Sequence, residues 1–82
     1  MIRVLYFASL GERLGCRGET LDPGDAGTVE DVVNLLKARG SPWTEAFEQI
    51  TVMSAVNQQM ADARTAVRDG DELALFPPVT GG

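Results

Sequence analysis

The sequence has 82 residues, of which 44% are hydrophobic and 23% are charged, and these values are typical of one small globular domain. Its formal net charge of −5 argues against nucleic acids and anionic membranes as partners. The chain lacks histidine, the commonest general base and metal ligand, and its single cysteine cannot form an internal disulfide. We therefore expect a cytoplasmic protein without an autonomous active site and without a metal or cofactor bound by this chain.

Residues 2–8 form a short run of branched and aromatic side chains that predicts a strand. Alternate positions of a strand share a face. The two faces carry Ile2, Val4 and Tyr6, and Arg3, Leu5 and Phe7. Because Arg3 is charged, the second face is expected to be partly open to water, with Leu5 and Phe7 as apolar surface.

A short helix or turn is predicted for residues 8–15, with Ser9 as its N-cap and Gly15 as its end. A second strand is predicted for residues 18–21, and the sequence of residues 22–25 is typical of a turn.

The clearest helix begins after Thr28, an N-cap residue followed three positions later by Asp31 in a variant of the capping box. The next apolar side chains recur at helical spacing and form one stripe, made of Val29, Val32, Val33 and Leu36. Lys37 and Arg39 suit the helix dipole, and Gly40 is expected to take the left-handed cap.

Residues 43–50 and 61–67 have no firm assignment, although a short helix that turns Trp43 and Phe47 inward fits the first segment. Residues 51–56 predict a strand, and residues 57–58 a turn into a short return strand through Met60.

The sequence Asp69-Gly70-Asp71 is typical of a turn, and we favour this interpretation over a metal site formed by the two aspartates. The turn leads into a last strand, predicted at residues 72–76. Cys16 has only arginines as nearby cations in the sequence, and we expect it to be structural rather than reactive.

This order of elements predicts an α+β fold of the β-grasp type, in residues 1–76. We expect a mixed sheet of about five strands, with one principal helix packed across it and the first and last strands paired in parallel. A flexible, extended tail is expected at residues 77–82. A ferredoxin-like sandwich is the alternative, but it requires a second long helix.

The chain ends in Gly81 and Gly82, directly after Pro77, Pro78, Val79 and Thr80. The prolines favour an extended backbone, and two glycines make the narrowest peptide, beyond which the terminal carboxylate is open to attack. Six residues could reach roughly 20 Å. The tail is therefore suited to enter another protein's active site. The alternative is a frayed chain terminus without a function.

Residues 69–82 strongly resemble the end of the small, sulfur-carrying subunit of molybdopterin synthase. Residues 2–8 resemble the first strand of that family, and residues 55–58 its middle strand and turn. The resemblance implies a ubiquitin-like fold and a chain that carries sulfur covalently on Gly82 as a thiocarboxylate.

The resemblance also implies a sequence of partners. An adenylyltransferase related to ubiquitin-activating enzymes would use Mg-ATP to adenylate Gly82, and a sulfur-donor protein would supply a persulfide that replaces AMP. The large synthase subunit would then receive the tail in a heterotetramer and pass the sulfur to precursor Z, which builds the molybdopterin dithiolene. Gly81 would let the tail pass a narrow channel, Pro77 and Pro78 would hold it extended, and Val79 and Thr80 would set its depth.

Strand alternation separates Phe76 from Leu73 and Leu75 in the last strand. If the two leucines pack against the helix, Phe76 lies beside Phe7 on the open face. Met60 matches a family position in the same patch. We therefore predict a partner interface at Phe7, Met60 and Phe76, with ordinary core packing as the alternative.

Two other carriers share a Gly-Gly end: the sulfur carrier of the thiamine pathway, and a ubiquitin-like modifier joined to lysines through Gly82. The thiamine carriers tend to be shorter and lack the Phe-Pro-Pro sequence. An interaction domain with an inert tail is the remaining alternative.

Overall fold

The computed structural model describes residues 1–78. Within this range, five strands and three helices follow one another in the order β1 (Ile2–Tyr6), α1 (Ala8–Leu14), β2 (Gly18–Leu21), α2 (Val29–Lys37), α3 (Trp43–Gln49), β3 (Met53–Val56), β4 (Gln59–Ala61) and β5 (Glu72–Phe76).

The strands form one mixed sheet in the order β2-β1-β5-β3-β4. The first and last strands pair in parallel, with Arg3 opposite Glu72 and Tyr6 opposite Leu75, and the other pairs are antiparallel. The predicted β-grasp roll and its central parallel pair are therefore confirmed.

The core lies between the helices and one face of the sheet. The predicted inner face of β1 is confirmed, because Ile2, Val4 and Tyr6 are at most 2% exposed. The other strands and the helices add further fully buried side chains: Leu10, Val32, Leu36, Leu73 and Leu75. The opposite face of the sheet has no helix over it among the described residues, and Arg3 on that face is exposed.

The start of α2 agrees with the sequence, and its end does not. The Thr28 hydroxyl accepts a hydrogen bond from the Asp31 N–H (3.2 Å), whereas the Asp31 carboxylate accepts from the Gly27 N–H rather than from Thr28. The helix ends at Lys37 with a right-handed Ala38 as its C-cap, so the prediction of Gly40 as the cap is wrong. Gly40 does take a left-handed φ of 87°, but in the connection to α3.

Ser9 does not cap α1, contrary to prediction. The chain enters this helix directly from β1 through Ala8, whose φ is 54°, so Phe7 occupies the cap position and Ser9 lies inside the first turn. This early helix start also ends β1 at Tyr6. Gly15 ends α1 in the left-handed conformation, as predicted.

The two unassigned segments are ordered in the structure. Residues 43–49 form α3, and Trp43 and Phe47 pack half-buried against the core. In the segment after β4, Ala66 forms an antiparallel bridge with Thr28, and Val67 is buried.

A polar cluster joins the edge of the sheet to the helices. The Tyr6 hydroxyl donates to Glu19 (2.8 Å), and the Arg39 guanidinium donates to both oxygens of the same carboxylate (2.7 and 2.8 Å). Arg39 also lies 4.5 Å from the centre of the Trp43 ring, which meets Tyr6 edge-on at 5.3 Å. Arg39, two residues beyond the end of α2, thus links this end of the helix to β2.

This cluster changes the pKa values of its members. Burial, and then the hydrogen bond to Glu19, raise the pKa of Tyr6. The hydrogen bonds from Arg39 lower the pKa of Glu19 below its ordinary value of 4.5, against the opposing effect of partial burial.

Gly11→Ala should destabilise the protein. A Cβ on Gly11 would lie 2.5 Å from the Tyr6 carbonyl oxygen, and because this atom is backbone, α1 would have to move. We expect a loss of at least about 2 kcal/mol, larger than the roughly 1 kcal/mol gained from alanine's helix propensity. Gly27→Ala is the matched control, because nothing lies within 4 Å of its Cβ. Urea unfolding measures both, and equal midpoints would contradict the steric argument.

Glu19→Gln should lower the free energy of unfolding by about 1 kcal/mol at pH 7, since the pair is partly exposed and screened. A carboxylate whose pKa is lowered on folding stabilises the protein above its unfolded pKa, and this contribution is lost as the pH falls through the folded value. The difference between the original chain and Glu19→Gln should therefore narrow below pH 4.5, the ordinary value. A difference that stays constant across this range would contradict the assignment.

Candidate functional site

The tail begins at the end of the central strand. β5 lies between β1 and β3, and it leads into Pro77, which is half-buried, and Pro78, which is exposed. The predictions for Val79, Thr80, Gly81 and Gly82, and most of the predicted extended tail, lie outside the described residues.

The open face of the sheet carries a row of apolar side chains. Leu5 of β1 is opposite Ala74 of β5, and Ala74 is opposite Ala55 of β3. Ala55 is in turn opposite Met60 of β4, so four neighbouring strands contribute to the row. Cross-strand partners share a face, which places Met60 on the same face as Leu5.

A second apolar row lies closer to the tail. Phe76 is opposite Met53, and the backbone N–H of Phe7 donates to the Leu75 carbonyl (3.0 Å), which continues the β1–β5 ladder beyond Tyr6. Phe7 therefore flanks Phe76 at the point where the chain leaves the sheet. We call the two rows together the tail-root patch; its members are Leu5, Phe7, Met53, Ala55, Met60, Ala74 and Phe76.

Except for Ala55, which is 9% exposed, the side chains of the patch are half-buried or exposed, unlike the core leucines beside them. Leu73 and Leu75 are fully buried on the helix side, and Phe76 on the other side is half-buried. Phe7 is 48% exposed and Met60 is 66% exposed, so neither is an ordinary core side chain. The structure thus brings Phe7, Met60 and Phe76 to one surface.

Sequence reasoning missed Met53 as a member of the patch. Its alternation with Ala55 could have placed it on one face of β3, but the choice of face depends on the register between β3 and β5. Ala55 and Ala74 were also missed as members of the patch, because small side chains carry little information about burial.

Both aspartates of the turn before β5 have partners within the chain. Asp71 accepts from the Arg68 N–H (2.8 Å) and from the Asn57 side chain (3.0 Å), and these bonds lower the pKa of Asp71. Asp69 pairs with the N-terminal amino group of Met1. The predicted turn is therefore confirmed, and both carboxylates already have partners.

Cys16 lies near Phe7 but does not belong to the patch. Its thiol donates to the Gly18 carbonyl (3.3 Å), and its side chain is half-buried against the core. Within residues 1–78, no helix has the length and apolar character needed to cross a membrane.

Comparison with known proteins agrees with this geometry. The ThiS family model matches residues 4–82. The molybdopterin synthase sulfur carrier subunit of Haemophilus influenzae is 40% identical over 82 residues, with 100% of each chain covered. The same subunit of Escherichia coli strain K12 is 39% identical, also with 100% of each chain covered.

Among solved structures, SAMP1 from Haloferax volcanii superposes with a TM-score of 0.77 at 31% identity, covering 99% of this chain and 98% of that chain. This superposition over nearly the whole chain supports the ubiquitin-like β-grasp assignment. The chain therefore belongs to the ThiS family and to the molybdopterin synthase sulfur carrier subunits.

Proposed function

We propose that this chain carries sulfur on Gly82 as a thiocarboxylate and delivers it within molybdopterin synthase. The observation that carries the proposal is the exposed apolar patch at the root of the Gly-Gly tail. A carrier needs a reactive end and a surface that fixes the start of the tail on its partner, and here Phe76 of the patch directly precedes the tail in the sequence.

The reaction starts from a carboxylate, which is a poor electrophile. Adenylation by a partner enzyme with Mg-ATP gives the acyl carbon a good leaving group and releases pyrophosphate. A persulfide sulfur from a donor protein then displaces AMP and gives an acyl disulfide. A second thiol of the donor protein reduces this acyl disulfide, which releases the thiocarboxylate and leaves a disulfide on the donor. This chain supplies the reactant, while its partners supply the bases and the metal.

Docking through the tail-root patch would make the transfer effectively intramolecular. The patch would fix Phe76 on the large subunit, and Pro77 and Pro78 would aim the next residues away from the sheet. From that anchor the tail has a reach of roughly 20 Å, enough to present Gly82 deep in a partner's pocket. Gly81 would pass the narrowest part of the channel, and Val79 and Thr80 would set the depth.

The proposed partner is the large subunit of molybdopterin synthase, in a heterotetramer with one carrier at each end of a dimer of large subunits. The relatives' designation as subunits of that enzyme supports this assembly. Sulfur transfer to precursor Z would take place on the large subunit. We expect the reaction in the cytoplasm, where thiols such as that of Cys16 remain reduced.

A second candidate function is conjugation to protein lysines through Gly82. The likeness to SAMP1, a small archaeal modifier protein, supports it. Both functions begin with the same acyl adenylate and differ in the nucleophile that attacks it, which is a persulfide in one and a lysine amine in the other.

Incubation with the adenylyltransferase, Mg-ATP and a sulfur donor should increase the intact mass by about 16 units, the difference between oxygen and sulfur. Mass spectrometry of the chain beside a Gly82-deleted control measures this gain, which the control should lack. Heavier conjugates on other proteins, without the gain, would favour the modifier. Neither product, with an active adenylyltransferase, would contradict both candidate functions.

Phe7→Ser and Met60→Glu should each weaken binding to the large subunit by about tenfold or more, because both remove exposed apolar contacts near the tail. Leu35→Ser is the matched control. Leu35 is likewise an exposed apolar side chain, with an exposed fraction of 43%, but it lies on α2, away from the patch. Titration calorimetry gives the affinities. Equal weakening by Leu35→Ser, or full affinity in the two patch variants, would refute the docking model.

A further inference from the structure

A second surface of this chain has no role in the proposed sulfur transfer. A groove of about 610 Å³ runs between α2, the end of α3 and the β3–β4 edge of the sheet. We propose that this acidic groove binds a basic peptide segment of a partner protein, one in which apolar side chains are flanked by lysine or arginine.

The apolar part of the groove is suited to side chains of such a segment. Val33 of α2, Phe47 of α3 and Val52 of the α3–β3 connection line it, and all three are half-buried against the core. Their accessible parts form a ready-made apolar surface, and the volume lies within the range of natural ligand sites. The groove therefore offers burial to one or two apolar side chains.

The charged part of the groove has a single sign. Three exposed carboxylates line it, those of Glu30, Glu48 and Asp62, and no lysine or arginine is among the lining residues. None of the three forms an ion pair within residues 1–78. Arg13 approaches one end, where its guanidinium donates to the Gln49 side chain. A cationic segment would supply the positive charges that the residues lining the groove lack.

The position of the groove makes it independent of the tail. It opens at the flank of the helix layer, whereas the tail-root patch occupies the opposite face of the sheet, and the two sets of residues share only Met53. A partner bound in the groove could therefore hold the carrier while a different protein covers Phe7 and Phe76.

The test uses a short capped peptide in which lysine alternates with leucine and phenylalanine, and a matched peptide with glutamate in place of lysine. NMR titration of the labelled chain should move the amide signals of residues 47–52 and 61–63 with the lysine peptide alone. Glu48→Lys should weaken its binding about fivefold, because an attraction becomes a repulsion beside the apolar site.

Asp25→Lys is the matched control. It changes the net charge equally from an exposed turn outside the groove, and it should alter the affinity by less than about twofold. Phe7→Ser should leave peptide binding unchanged, so that this test does not depend on sulfur transfer. The proposal is overturned by equal weakening in Glu48→Lys and Asp25→Lys, by shifts confined to the tail-root patch, or by no binding of the lysine peptide.

Discussion

The parallel pairing of β1 with β5 is the constraint on which the rest of the structure depends. It places the two ends of the described chain in the middle of the sheet, so that Val4 and Leu73 become neighbours in the core. The same pairing sets Phe7 beside Phe76 on the outer face. A change that shifted this register by one residue would turn the buried side chains outward and bury the patch. The same strand pair therefore positions both the buried core side chains and the apolar side chains of the tail-root patch.

The elements that the sequence predicted well are those with local causes. Thr28 caps α2 through a bond to a residue three positions away, and the bounds of β5 follow from the turn at Gly70. Other features depend on contacts or backbone conformations that no local pattern shows. The partner of Arg39 is one of them, because Glu19 lies on a strand twenty positions earlier. Ser9 does not cap α1 because the helix already begins at Ala8, whose positive φ is rare for alanine.

The candidate site divides in the same way. Phe7 and Phe76 could be placed on one face because alternation needs only the knowledge of which neighbours are buried. Met53 could not, because its face depends on the register of β3 against β5, and registers are properties of the whole sheet. The chemistry of Gly82 was inferred from the resemblance of the tail to a family rather than from any pattern of charge or spacing. The acidic groove, which four separate segments of the chain form, had no counterpart in the sequence pattern.

The position of β5 has a consequence for how the protein is made. The tail-root patch requires Phe7, next to β1, and Phe76 of β5, and β5 is synthesised after β1, β2, β3 and β4. Until β5 is inserted beside β1, a growing chain has no central strand and the outer face of its sheet is incomplete. Because so many contacts join residues far apart in sequence, the sheet is expected to close late. The tail-root patch is therefore complete only after β5 has joined the sheet, and a chain interrupted before Phe76 lacks this surface.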